Sequence, residues 1–154
     1  MIRTRTRIRS DGFSLIELLV VTGLIAVVAG AAIPSITAGM RRYSLITASQ
    51  QVVSTIRAAR HQAVGRNATL RVRFDHPATG QYQILDAADA AVGDVQYLPQ
   101  GASFSTVSGD IEITTSGRMT DLAGVPTTET IVVSNVDGQT RTITVSASGR
   151  VQLP

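Results

Sequence analysis

The sequence contains no cysteine and no lysine. Without cysteine there is neither a disulfide framework nor a thiolate metal site, so burial has to hold the fold together. The motifs that carry catalysis are missing too: neither G-x-S-x-G, nor H-E-x-x-H, nor a phosphate-cradling glycine loop occurs. His61 falls on an expected helix and His76 in an expected turn, with serines and aspartates scattered widely around them. No enzymatic role follows from such an inventory, and no cofactor, metal or small-molecule substrate is expected. Asp86, Asp89, Asp94 and Asp110 could contribute oxygens to a calcium site, but their spacing matches no standard loop. Turn-forming aspartates are the simpler reading.

Acidic side chains are absent from one whole stretch. Arg41, Arg42, Arg57, Arg60, Arg66, Arg71 and Arg73 follow one another with no acid among them, whereas residues 75–154 hold nine acids and three arginines. A basic helix and an acidic remainder could attract each other, within one protomer or between neighbours; solvated faces are the alternative. The formal charge of +3 does not itself mark a nucleic-acid binder, because Arg3, Arg5, Arg7 and Arg9 against Asp11 account for all of it. From Phe13 onward ten arginines balance ten acids.

The 154 residues leave room for one domain of ordinary size and an anchor. Residues 1–12 are arginine-rich and aperiodic, as in a cytoplasmic head held by the positive-inside rule. No two arginines there are adjacent, so a twin-arginine export signal is unsupported. Residues 13–33 form a 21-residue apolar run with Glu17 as its one charge. As a helix that run just spans a hydrocarbon core of about 30 Å. A carboxylate at membrane depth costs about 3 kcal/mol at the bilayer centre and calls for a partner. A cleaved signal peptide ending near Ala29-Gly30-Ala31 is the competing reading; the run exceeds the usual apolar core of such signals, and helical periodicity continues beyond it.

Pro34 is expected to kink the helix or loosen its hydrogen bonding. Beyond it Leu45, Ala48, Val52, Ile56, Ala59 and Ala63 recur at intervals of three and four, one apolar stripe with Arg57, Arg60 and His61 largely off it. Gly65-Arg66-Asn67 signals the helix end. The rest alternates with period two between turn residues, which predicts antiparallel strands over 69–74, 81–85, 95–98, 103–107, 111–115, 130–134 and 139–146. Residues 87–93 and 121–128 read as loops, and Val136-Asp137-Gly138 as a tight turn. The fold class is α+β. One internal echo stands out: residues 111–119 align, 32 positions on, with residues 143–151, each a strand running into Ser-Gly-Arg and an apolar residue. It is either a repeated strand-turn solution with glycine at positive φ, or a pair of exposed arginines flanking a binding edge.

Gly12-Phe13-Ser14-Leu15-Ile16-Glu17 resembles the type IV prepilin signature: a basic leader ending in glycine, then phenylalanine, with glutamate as the fifth mature residue. The resemblance implies cleavage between Gly12 and Phe13 by a prepilin peptidase and N-methylation of Phe13. It also implies subunit assembly through Glu17, pairing with the charged terminus of a neighbour. Residues 45–153 resemble, on weaker motifs, the GspH/FimT group of minor pilins and pseudopilins: a helix with small residues, Ser116-Gly117-Arg118, and a last strand into Gly149-Arg150. The domains implied are a leader at 1–12, a transmembrane half-helix at 13–33, an amphipathic half at 34–66 and a β-rich periplasmic domain at 67–154, together a pilin-like fold. The function implied is a tip-associated minor pseudopilin of a type II secretion system in the bacterial inner membrane; the alternative is a minor pilin of a type IV pilus. Its partners would be prepilin peptidase, other pseudopilins or pilins, and the inner membrane. A branch of the group binds DNA through a glycine-arginine element with a second arginine two places on, which would recruit Arg118, Arg141 and Arg150. Here Gln152 stands at that second position, so nucleic acid is not a favoured partner.

Overall fold

The computed structural model of the protein describes residues 13–153, Pro34 through its backbone alone. Residues 1–12, read from the sequence as a leader ending in Gly12, lie outside the described residues. Within them the elements are one helix, α1 (Leu15–Arg66), then strands β1 (Leu70–Phe74), β2 (Gln81–Asp86), β3 (Gln96–Tyr97), β4 (Ala102–Val107), β5 (Ile111–Ile113), β6 (Met119–Thr120), β7 (Glu129–Asn135), β8 (Thr140–Val145) and β9 (Val151–Gln152). The chain divides into two compact units, Met1–Ala38 and Gly39–Pro154.

In the first unit the described residues are helical from Leu15, and their large apolar side chains are exposed. Thr22 satisfies its hydroxyl within the helix by donating to the Leu18 and Leu19 carbonyls at 2.9 and 3.0 Å. α1 continues through position 34 as one helix of 52 residues. Pro34 lacks one amide donor, a local loss that the hydrogen bonds on either side outlast.

The second unit is built on the apolar stripe of α1. Leu45, Ala48, Val52, Ile56, Ala59 and Ala63 are all buried, in one cluster with Leu70, Val72, Ile111, Ile113, Ile131, Val133, Ile143 and Val145 from the strands. The small residues Ala48, Ala59 and Ala63 are each 0% exposed within it. Ser49 is buried as well, and its hydroxyl donates to the Leu45 and Ile46 carbonyls. The helix ends in a Schellman motif: Ala68 N–H donates to the Ala63 carbonyl and Asn67 N–H to that of Val64. Asn67, at φ 50°, is the left-handed residue, so asparagine and not Gly65 makes the cap.

The strands form two antiparallel sheets, ordered β3-β2-β1-β5-β6 and β4-β7-β8-β9. The β1–β2 hairpin pairs Leu70 with Asp86 and Phe74 with Tyr82. β7 alternates without a break, burying Glu129, Ile131, Val133 and Asn135. Its polar ends are satisfied locally: Ser108 donates to the Glu129 carboxylate, and the side-chain Oδ1 of Asn135 accepts from Asp137 and Gln139 N–H across the turn. Phe104 of β4 stands edge-on to Phe74 and Tyr82 at 5.4 and 5.9 Å, tying one sheet to the other.

Two strands arise that alternation does not predict, β6 and β9. Each is two residues long and follows a Ser-Gly-Arg turn. Strand β5 stops at Ile113 rather than reaching 115, because Thr114 begins that turn.

Candidate functional site

The two echoing segments fold identically. Gly117 N–H donates to the Thr114 carbonyl and Gly149 N–H to that of Ser146, both at 2.8 Å. Thr114 N–H reaches the Arg118 carbonyl and Ser146 N–H that of Arg150, both at 3.0 Å. The hydroxyl pairs Thr114–Ser116 and Ser146–Ser148 are each 3.0 Å apart. Both glycines are left-handed, with φ of 75° and 81°, as the repeated-turn reading expects.

The turns also dock on each other, although they close different sheets. Met119 N–H donates to the Ala147 carbonyl at 3.0 Å. A Cβ placed on Gly149 would lie 2.4 Å from the Gly117 carbonyl oxygen and 2.8 Å from Arg60 Nε, so no larger residue fits. Arg60 reaches the junction from α1, and its Nε–H donates to the Gly117 carbonyl at 2.9 Å.

Beside that junction opens a cleft of about 360 Å³ lined by Arg57, Arg60, His61, Gly149, Arg150 and Val151. Of the three arginines singled out from sequence, only Arg150 lines it. Arg118 is exposed at the matching point of the first turn, and Arg141 lies on β8 opposite Val133. Arg57, Arg60 and His61 are not among the site residues that the sequence motifs indicate. Their spacing of three and four, off the apolar stripe, was the available signal: it puts them on one helix face.

The acid-free stretch is partly neutralised from within. Arg41 pairs with Asp137 at 2.5 Å, Arg71 with Asp89 and Glu112 at 2.6 and 3.2 Å, and Arg73 with Asp110 at 2.7 Å. The Asp110 hydrogen bond, backed by the charges of Asp110 and Asp89, raises the Arg73 guanidinium above its usual range against the opposing effect of burial. Asp86 accepts from Ala88 and Ala90 N–H in its own turn. Of the four aspartates that could offer oxygens to calcium, Asp86, Asp89 and Asp110 are spent on turns and ion pairs, and no cluster of three metal-binding side chains occurs among the described residues.

At the other end of the helix, Glu17 lies in the first turn, where a negative charge suits the helix dipole. Among the described residues its carboxylate meets no hydrogen-bond or ion-pair partner. Phe13 is exposed ahead of the helix, and around Glu17 so are Leu15, Ile16, Leu18, Leu19 and Val20.

Residues 48–149 match the family model of the type II transport protein GspH. The chain belongs to the GspH family. Residues 7–33 of this GspH-family protein match the prokaryotic N-terminal methylation motif, which spans Gly12, Phe13 and Glu17. No curated protein matches the chain. Among solved structures it resembles the type IV minor pilin FimU of Pseudomonas aeruginosa, with a TM-score of 0.58, 17% identity, and 73% of this chain and 90% of that one covered. It also resembles the minor pseudopilin EpsH from the Type 2 Secretion System of Vibrio cholerae, with a TM-score of 0.55, 13% identity, and 72% and 96% covered. At these identities the two neighbours establish the fold, a long N-terminal helix on antiparallel sheets.

Proposed function

We propose that this GspH-family protein is a minor pseudopilin, a structural subunit of a type II secretion pseudopilus incorporated at or near the tip, and not an enzyme. The observation that carries the reading is the combination of the family match over residues 48–149 with an apolar half-helix whose surface is left unburied. A helix exposing large apolar side chains all round needs lipid or other helices as its solvent. A pseudopilin uses both in turn, the inner membrane before assembly and the filament core after it.

In this reading a prepilin peptidase cuts between Gly12 and Phe13 on the cytoplasmic side, and the new amine of Phe13 is methylated. Removal of the leader takes away the charge that held the terminus in the cytoplasm. The unpartnered Glu17 carboxylate then meets the terminal ammonium of a neighbouring subunit, which offsets the cost of placing either charge among apolar helices. The β-rich domain is periplasmic.

Deletion is expected to abolish exoprotein secretion; intact secretion would sink the proposal. A minor pilin of a type IV pilus is the second reading, favoured by the likeness to FimU, and it predicts loss of piliation or twitching instead. Mass spectrometry of the membrane-extracted protein should find methylated Phe13 at the terminus, whereas a terminus near Ala32 would mean a signal peptide. Glu17→Ala should insert normally and fail to enter filaments, and its normal incorporation would refute the pairing.

A further inference from the structure

Five of the seven arginines of the acid-free stretch fall into two contrasting sets. Arg41, Arg71 and Arg73 are paired with carboxylates of the same protomer. Arg57 and Arg60 meet no acid among the described residues, and a turn from the far end of the chain brings Arg150 to the same cleft. None of the six lining residues is acidic. Three guanidinium groups held together without a counter-charge repel one another, so the arrangement is stabilised by any anion that enters.

The cleft is also built rather than incidental. Arg60 is pinned through Nε to the Gly117 carbonyl, which fixes the plane of its guanidinium and leaves the terminal nitrogens without a partner among the described residues. A guanidinium so oriented is prepared for a forked contact with a carboxylate. Gly149 is what admits it: a Cβ there would lie 3.1 Å from Arg60 Cζ.

We propose that this cleft binds carboxylate side chains of an acidic peptide segment presented by a neighbouring subunit. The origin of the peptide rests on the subunit reading above; the ligand chemistry does not. A volume of about 360 Å³ admits one or two side chains, not the width of a duplex. Arg118 and Arg141 stand outside the cleft, so no continuous arginine track follows a phosphate backbone. Beyond the leader the chain is formally neutral and has no bulk field to gather a polyanion.

The test uses the full chain in neutral detergent micelles, with a dye-labelled hexaglutamate peptide and a labelled short duplex DNA followed by anisotropy at low salt. Hexaglutamate should bind saturably. Arg57→Gln and Arg150→Gln, which remove no side-chain hydrogen bond or ion pair among the described residues, should each weaken it about tenfold. Arg42→Gln, about 22 Å along the helix by its rise, should leave it unchanged. The leader arginines are common to every variant, so the differences report the cleft. Three results would each overturn the proposal: no saturable peptide binding, equal weakening by Arg42→Gln, or duplex binding that is tighter than peptide binding and lost in Arg150→Gln. A deletion strain that still secretes would remove the subunit reading and leave the peptide measurement standing.

Discussion

Between Leu15 and Met40 the helix exposes apolar side chains on every side, with Leu19 at 61% and Ile36 at 60%; between Leu45 and Ala63 a single stripe is apolar, and Ile56 within it is 0% exposed. The backbone is the same in both stretches. What differs is the angular distribution of side chains, all round in the first and confined to about one face in the second. A one-sided stripe can be satisfied by the two sheets of its own chain. An all-round one cannot, and its solvent has to come from outside the protomer. The contrast explains how one helix can be the spine of a folded domain over one stretch and leave its apolar surface uncovered over the other.

Truncating one side chain from each stretch separates their energetics most directly. Ile56→Ala should cost about 4 kcal/mol through lost burial and the cavity left behind, read as a lower urea midpoint of the full chain in micelles. Leu19→Ala should leave that midpoint in place, since nothing in the β-rich unit depends on it. Equal losses would mean that the two stretches are not energetically separate.

Next in size is the junction where the inner stretch meets the turns. Gly149→Ala should cost about 3 kcal/mol, from positive φ and a collision with the Gly117 carbonyl and Arg60 together. Gly138→Ala, at φ 74° in open space, carries only the backbone part, about 1 kcal/mol. A difference between the two in a urea titration isolates the steric contribution, and similar values would refute tight docking of the turns.

The smallest effect concerns Tyr82, buried against the inner stretch. Burial pushes its phenol above the usual value of 10.0; Thr55 tempers the shift without making a bond of good geometry, and the hydroxyl has no hydrogen-bond partner among the described residues. Because the folded state holds this proton more tightly than the unfolded one, its contribution is complete below pH 10 and declines as pH rises beyond that. Tyr82→Phe should therefore flatten the loss of stability above pH 10 and change stability at pH 7 by less than about 1 kcal/mol. An unchanged alkaline slope would show that Tyr82 does not titrate with unfolding.

Much of the architecture could be read in advance, where a local pattern repeats long enough to be unambiguous. The stripe from Leu45 to Ala63, the end at Asn67 and the alternation of β1, β2, β7 and β8 each announce their element. The strands β6 and β9 could not be read, since two residues carry no periodicity and pair only because a turn delivers them. The echo of Ser-Gly-Arg was visible as a repeat, but its consequence was not. That the two turns would meet, and that Gly149 would be the contact, depends on the order of strands in two separate sheets.

The same division applies to Gly12, Phe13 and Glu17 on one side and the arginine cleft on the other. The first group is a linear signature with fixed spacing along the chain, so residue order suffices to define it. The cleft joins Arg57, Arg60 and His61 to Arg150 across some ninety positions of chain. No sequence interval specifies such a meeting. It is set by the packing of the helix on the sheets and by a glycine small enough to let Arg60 through.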